Sequence, residues 1–187
     1  MGNKNTNLQN AKNARWDEFY TTYEDIQREV YHYVPHFAGK TVLCNCDDPF
    51  ESNFCLFFLR HFNSLKLKRL ICTSYKTSRV LTTKSTFKDD DGQLLSKDFG
   101  YVLDVSKFSN TGDVLPEKEV IAFLKRSKVI KKLHCDGDFR SSECIEYLKQ
   151  ADIVVTNPPF SLFKEILALI IQHQKHFLIV GNQNAIT

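Results

Sequence analysis

No run of ~18 uninterrupted apolar residues occurs in the chain, so no membrane span is expected. No Cys-x-x-Cys spacing joins any of its six cysteines (Cys44, Cys46, Cys55, Cys72, Cys135 and Cys144). A zinc site needs four ligands at recognisable spacing, and His134-Cys135 lacks two of them, so no metal is expected. No signal peptide stands ahead of these cysteines, and several lie in apolar strand-like runs, where a free cysteine acts as a small hydrophobe. Reduced thiols and a cytoplasmic location follow as expectations. An excess of one charge is also missing. Lys and Arg number 25 against 22 Asp and Glu, a net charge of +3, with the signs mixed along the chain. That balance is compatible with nucleic acid without requiring it. The basic runs Lys125-Arg126-Ser127-Lys128 and Lys131-Lys132 read as solvated faces, with phosphate contact as the alternative. Internal repeats and an interdomain linker are absent, and 187 residues suffice for one domain with a substantial core.

What is present reads as alternating elements. Residues 1–15 form an Asn-rich, basic stretch expected to be a disordered tail. Met1 to Thr6 also fits the loose myristoylation pattern, a weaker reading of the same residues. The domain is expected over 16–187. A helix runs from Tyr23 to about Tyr33, ended by Pro35 and Gly39. Strand-like Lys40 to Cys46, an apolar helix from Ser52 to about Phe62, and strand-like Leu67 to Ser74 make a βαβ unit, which implies parallel strands with a right-handed crossover. Residues 75–113 break the rhythm: Thr77 to Phe87 is polar, Asp89-Asp90-Asp91-Gly92 is a turn, and Gln93 to Val105 alternates loosely. This predicts a β-hairpin insertion. A calcium loop is excluded because Gly100 stands where its last glutamate belongs. Then follow a helix from Pro116 to about Ser127, strand Lys131 to Asp136, helix Ser142 to Gln150, strand Ala151 to Thr156, helix Ser161 to His173, and strand His176 to Gly181. Five strands interleaved with helices predict an open, mostly parallel α/β sheet.

In such sheets ligands bind beyond the carboxyl ends of the strands. Three of those ends carry polar, acidic and aromatic residues: Asn45-Cys46-Asp47-Asp48-Pro49, Asp136-Gly137-Asp138-Phe139-Arg140 and Asn157-Pro158-Pro159-Phe160. The last is the most informative. An exocyclic amine on a base is a poor nucleophile because its lone pair is delocalised into the ring. An amide oxygen (Asn157) and an aligned backbone carbonyl (Pro158) that accept its hydrogens push it toward a geometry able to attack a sulfonium methyl. Pro158 and Pro159 hold the loop at low entropic cost. Phe160 offers a face for stacking. The plainer reading of Asn-Pro is a common turn starter. S-adenosyl-L-methionine would need an acid for its ammonium or ribose hydroxyls, met by Asp47 or Asp48. An acceptor for its adenine amine is met by Asp138, with Phe139 against the ring. The alternatives for Asp48 and Asp138 are a helix cap and a surface turn.

The phrases Asp17-Glu18-Phe19-Tyr20-Thr21, Asn45-Cys46-Asp47-Asp48-Pro49, Gly137-Asp138-Phe139-Arg140-Ser141, Asp152 to Phe163 and Gly181-Asn182-Gln183-Asn184-Ala185-Ile186-Thr187 follow one another in the order seen in DNA adenine-N6 methyltransferases of the EcoRI type. The chain resembles that family over nearly all its length beyond the tail. The resemblance implies a Rossmann-like, open, mostly parallel sheet of a class I S-adenosylmethionine-dependent methyltransferase, lacking its last strands and carrying the hairpin insertion. It implies methyl transfer to a flipped adenine in double-stranded DNA, within restriction-modification, and a target-recognition region beyond Thr187 or on a second chain. By the same resemblance Tyr20 and Thr21 cradle the cofactor's methionine end, and Asn45, Asp47 and Asp48 replace the family's usual glycine-rich turn. Asp138 and Phe139 read the cofactor's adenine, and Asn157, Pro158, Pro159 and Phe160 form the catalytic loop. The Gly-x-Gly turn after the first strand is absent, and Thr73-Ser74-Tyr75 stands where the acid after the second strand is expected. That leaves ribose recognition to Ser74, Asp48 or neither. Two alternatives remain: a protein glutamine amide or guanine N2 as substrate, and a truncated, inactive nucleic-acid-binding remnant.

Overall fold

The computed structural model describes residues 21–47, 52–76, 88–96, 98–108, 114–126 and 128–181. The tail expected at 1–15, Tyr20, Asp48 and the polar 77–87 stretch lie outside the described residues. Six strands form one sheet: β1 (Thr41–Cys44), β2 (Arg69–Ser74), β3 (Tyr101–Val105), β4 (Ile130–Lys132), β5 (Ile153–Thr156) and β6 (His176–Ile179). Their spatial order is β4-β3-β2-β1-β5-β6. β1 pairs in parallel with β2 and with β5, and β5 in parallel with β6. Only β3 runs against its neighbours β2 and β4. The chain builds outward from β1 in one direction, returns, and continues from β5 in the other. The topological switch point therefore lies between β1 and β5.

Alternation along the buried strands gives the sheet two apolar faces. Val42 and Cys44 of β1 pack on one side with Ile26 and Val30 of α1 (Tyr23–Tyr31), Phe37 of α2 (Val34–Phe37), Phe54, Phe57 and Phe58 of α3 (Asn53–Arg60), and Val120 and Leu124 of α4 (Glu117–Arg126). Leu43 packs on the other with Cys144 and Leu148 of α5 (Ser142–Gln150) and Ile166 and Ile170 of α6 (Phe163–Gln172). Burial on both faces is the pattern of parallel sheets. Cys44, Cys55 and Cys72 meet inside the first face, with Cys55 Sγ and Cys72 Sγ 2.9 Å apart, and burial pushes the Cys44 thiol up to about 11. These thiols are packing groups.

Several element boundaries differ from the sequence reading for local reasons. α1 stops at Tyr31, and Pro35 sits in the first turn of the separate four-residue α2, where a proline is tolerated. β4 lies over Ile130–Lys132 rather than from Lys131 to Asp136, so Leu133 to Asp136 are released into the loop that follows. The hairpin expected at the Asp-Gly turn survives as a single bridge, Lys88 to Leu94, closed by Gln93 N donating to Asp89 Oδ1 at 2.7 Å. The residues after it do not stay in an insertion arm. Tyr101–Val105 enters the main sheet as β3, fastened to β2 by the Arg69 guanidinium, which forks onto Asp104 at 2.7 and 2.6 Å.

Candidate active site

Local chemistry brings the loops after β1 and β5 together. Thr73 Oγ1 of β2 donates to Asn45 Oδ1 at 2.9 Å, and Thr156 Oγ1 of β5 donates to the Asn45 carbonyl. Asn45 is buried and bridges three strands at the switch point. The turn that follows is made without glycine: Cys46 takes the left-handed conformation itself, φ 66°. A non-glycine residue does this at a cost of about 1–2 kcal/mol, which the hydrogen bonds around Asn45 offset. Asp47 comes next, buried, its Oδ1 accepting from Ser52 Oγ at 2.7 Å. Ser52 simultaneously caps α3, accepting from Phe54 N and Cys55 N. Thr21 reaches the same region, its carbonyl accepting from Asn53 Nδ2 at 2.9 Å. Asp47 Oδ2 and Asn157 Oδ1 are both acceptor atoms buried from solvent.

The catalytic-loop candidates follow directly on Thr156. Pro158 is buried, while Asn157, Pro159 and Phe160 are half-buried. Pro159 is extended (φ −51°, ψ 136°), and its carbonyl accepts from Leu162 N, starting a single 3₁₀ turn, Phe160–Leu162, ahead of α6. The helix expected from Ser161 thus begins as a tighter turn that presents Phe160 at its mouth.

The third loop crosses from the far edge of the sheet. Gly137 lies so close to β2 that a Cβ there would stand 2.1 Å from the Ser74 carbonyl, and its φ of +82° suits glycine alone. Lys76 N donates to the Asp136 carbonyl at 2.9 Å, and Lys76 Nζ pairs with the Asp136 carboxylate at 3.3 Å. These contacts lay the loop over the end of β2 toward the switch point. Asp138 Oδ1 accepts from Arg140 N and Nε at 2.8 and 2.9 Å, and its Oδ2 from Arg140 Nη2 at 2.7 Å. The guanidinium holds the Asp138 carboxyl below the usual range. Arg140 Nη1 continues to Glu165 Oε2 of α6 at 2.9 Å, joining this loop to the helix that follows the Asn-Pro-Pro-Phe loop. Phe139 turns inward: it is 3% exposed, packed in the apolar cluster with Leu133, Cys144 and Ile166. Ser74 is also buried, and its hydroxyl donates to the Tyr101 carbonyl. An open cleft of about 450 Å³ flanks this loop, lined by His134, Cys135, Ser142, Glu143 and Glu146. Among the described residues no group of three His, Cys, Asp or Glu side chains is placed to hold a metal ion.

Thr21, Asn45, Asp47, Asp138, Asn157, Pro158, Pro159 and Phe160 therefore gather at one end of the sheet, while Phe139 faces its core. Sequence reasoning missed Ser52, Thr73, Thr156 and Arg140. Ser52 carried a signal, a serine just before an apolar helical run. Arg140 stood inside a motif without a role.

An open sheet whose acceptor-rich loops converge at its switch point defines a Rossmann-like α/β domain, a fold in which ligands bind beyond the carboxyl ends of the strands. More particularly, the chain belongs to the family of the adenine-specific methyltransferase EcoRI, whose model matches residues 7–187. It is 42% identical over 180 residues to the Type II methyltransferase M.EcoRI of Escherichia coli, covering 96% of this chain and 49% of that protein. It is 39% identical to the Type II methyltransferase M.MgeORF184P of Mycoplasma genitalium (95% of this chain, 44% of that protein). Identity to the Type II methyltransferase M.MpnI of Mycoplasma pneumoniae is 36% (94% and 44%). The chain thus spans about half the length of the curated relatives it matches. No solved structure matches it significantly.

Proposed function

We propose that the chain is the catalytic portion of an adenine-N6 DNA methyltransferase that uses S-adenosyl-L-methionine. One observation carries the reading furthest: the Asn45 carbonyl is bonded to Thr156, so the acid-bearing loop and the Asn-Pro-Pro-Phe loop are fastened side by side. The acceptor set fits the cofactor, whose ammonium, ribose hydroxyls and exocyclic amine are all donors. When bound, S-adenosyl-L-methionine supplies an electrophilic methyl group on sulfonium.

The chain's own residues do the rest. Asp47, oriented by Ser52, receives the ammonium or a ribose hydroxyl, with Thr21 and Asn45 closing that side. Asp138 receives the cofactor's adenine amine, and Phe139 supports its loop from the core. A target adenine rotated out of double-stranded DNA stacks on Phe160. Asn157 Oδ1 and the Pro158 carbonyl accept its two N6 hydrogens, drawing the nitrogen lone pair out of conjugation. Pro159 keeps that carbonyl aimed. The proton released after transfer passes to solvent. Family membership favours DNA adenine over a glutamine amide or guanine N2.

Calorimetric titration of S-adenosyl-L-methionine into the purified chain, with Asp138→Ala alongside, tests the cofactor half. Saturable binding weakened by the substitution is expected. A folded sample that binds none removes the enzyme reading for this chain and leaves the inactive remnant. Transfer of labelled methyl to duplex DNA, with glutamine-containing protein as the competing acceptor, tests the substrate half.

A further inference from the structure

We infer that Arg140 is a positioning residue: it holds the Asp138 carboxylate as a fixed, ionised acceptor that selects an exocyclic amine, and it joins that acceptor to the helix behind the catalytic loop. The inference rests on the reading of Asp138 as the group that meets the cofactor's adenine.

Three side-chain contacts and one backbone contact fix Arg140. Its backbone N–H and Nε both donate to Asp138 Oδ1, Nη2 donates to Oδ2, and Nη1 donates to Glu165 Oε2, all within 2.7–2.9 Å. The guanidinium also lies over the Phe139 ring, 5.2 Å from its centroid. The Arg140 side chain is 54% exposed, against 27% for Asp138 and 52% for Glu165. Ion pairs this open contribute little to stability, so the fork is poorly explained as support for the fold. It is well explained as orientation. Two parallel N–H···O bonds set the plane of a carboxylate, which a single point charge does not. Oδ1 already accepts twice, so Oδ2 is the oxygen with capacity left for a further donor. A carboxylate so held accepts from the N6 amine of an adenine and repels the O6 carbonyl of a hypoxanthine. The contact to Glu165 then passes the loop's position to α6, whose preceding turn carries Phe160.

The probes are S-adenosylhomocysteine and its inosine counterpart, in which the 6-amine is replaced by a carbonyl and N1 carries a hydrogen. Titration of the wild-type chain is expected to favour the adenine ligand by about tenfold or more, the range of one charge-assisted hydrogen bond. Arg140→Ala should weaken the adenine ligand by about that factor and leave the inosine ligand unchanged, so that the preference collapses. Arg140→Lys, which keeps charge without the fork, should fall between. In a double variant with Asp138→Ala the two effects should not add. Melting curves of each variant verify that the fold persists. Equal weakening of both ligands by Arg140→Ala would show a merely structural role and overturn the inference. An unchanged preference in Arg140→Ala, with Asp138→Ala abolishing it, would also overturn it while leaving the reading of Asp138 intact. A wild-type chain that binds neither ligand, or an Asp138→Ala chain with the wild-type preference, overturns the underlying reading instead.

Discussion

Under the proposed function, Asn157 concentrates the chemistry in one amide. Its oxygen is buried beside the strand end, where a hydrogen bond to a target amine is stronger than in water. Under the proposed mechanism Asn157→Ala removes an acceptor that matters most as charge develops on nitrogen. Single-turnover transfer to oligonucleotide DNA should slow by about 10²–10³-fold, while the affinity for S-adenosylhomocysteine stays within about twofold. Gly137 works differently, through backbone alone. Gly137→Ala forces a Cβ into the Ser74 carbonyl at a positive φ. Urea unfolding should show a loss of about 2–4 kcal/mol, and cofactor binding should weaken with it because the loop carrying Asp138 is displaced.

Among the elements, α3 is tied most closely to the site. Its cap, Ser52, serves the helix and Asp47 with one hydroxyl. Ser52→Ala should therefore cost about 1 kcal/mol in denaturant unfolding and also raise the dissociation constant for S-adenosyl-L-methionine. Ser52→Thr should retain most of both. The order of strands and helices around the site was legible in the sequence because the apolar runs 40–46, 67–74 and 151–156 are long and bounded by turn residues. The place of the Asn-Pro-Pro-Phe turn was legible because two prolines pin it to a strand end. β3 was not. Tyr101-Val102-Leu103-Asp104-Val105 reads in the sequence only as part of a hairpin insertion, and its place between β2 and β4 is fastened by Arg69 reaching Asp104, a pairing across 35 residues. Arg140 was equally silent, since its partner Glu165 lies 25 residues away on another element. Phe139 shows the limit of residue type as a guide, for the same aromatic ring serves a ligand wall or a core, and only packing decides.

For the whole molecule, acid exposes a built-in weakness. His61, at the end of α3, is buried, stacked on Phe57 at 4.3 Å and within 3.1 Å of the Tyr23 hydroxyl. Burial, with Arg60 beside it, lowers its pKa below the ordinary histidine value. The unfolded chain then binds the proton more readily than the folded one. Stability contributed by neutral His61 is complete above the unfolded value of ~6.5 and declines as pH falls from there toward the folded value. Urea midpoints at pH 7.5 and 5.5 should show that decline, and His61→Gln should flatten it.

The placement of β1 has a consequence for how the chain reaches this state. This strand, one of the two central ones, is bonded on one flank to the β5 segment, through Thr41 N to Asp152 Oδ2 at 2.7 Å and through Asn45 to Thr156, both across 111 residues. Closing so long a loop is entropically costly before any contact rewards it. During synthesis β1 must wait, one edge open, until residues 151–156 have emerged. The contacts that bring the loops after β1 and β5 together are then the last that β1 makes, so the candidate site is assembled only as the two halves of the sheet join.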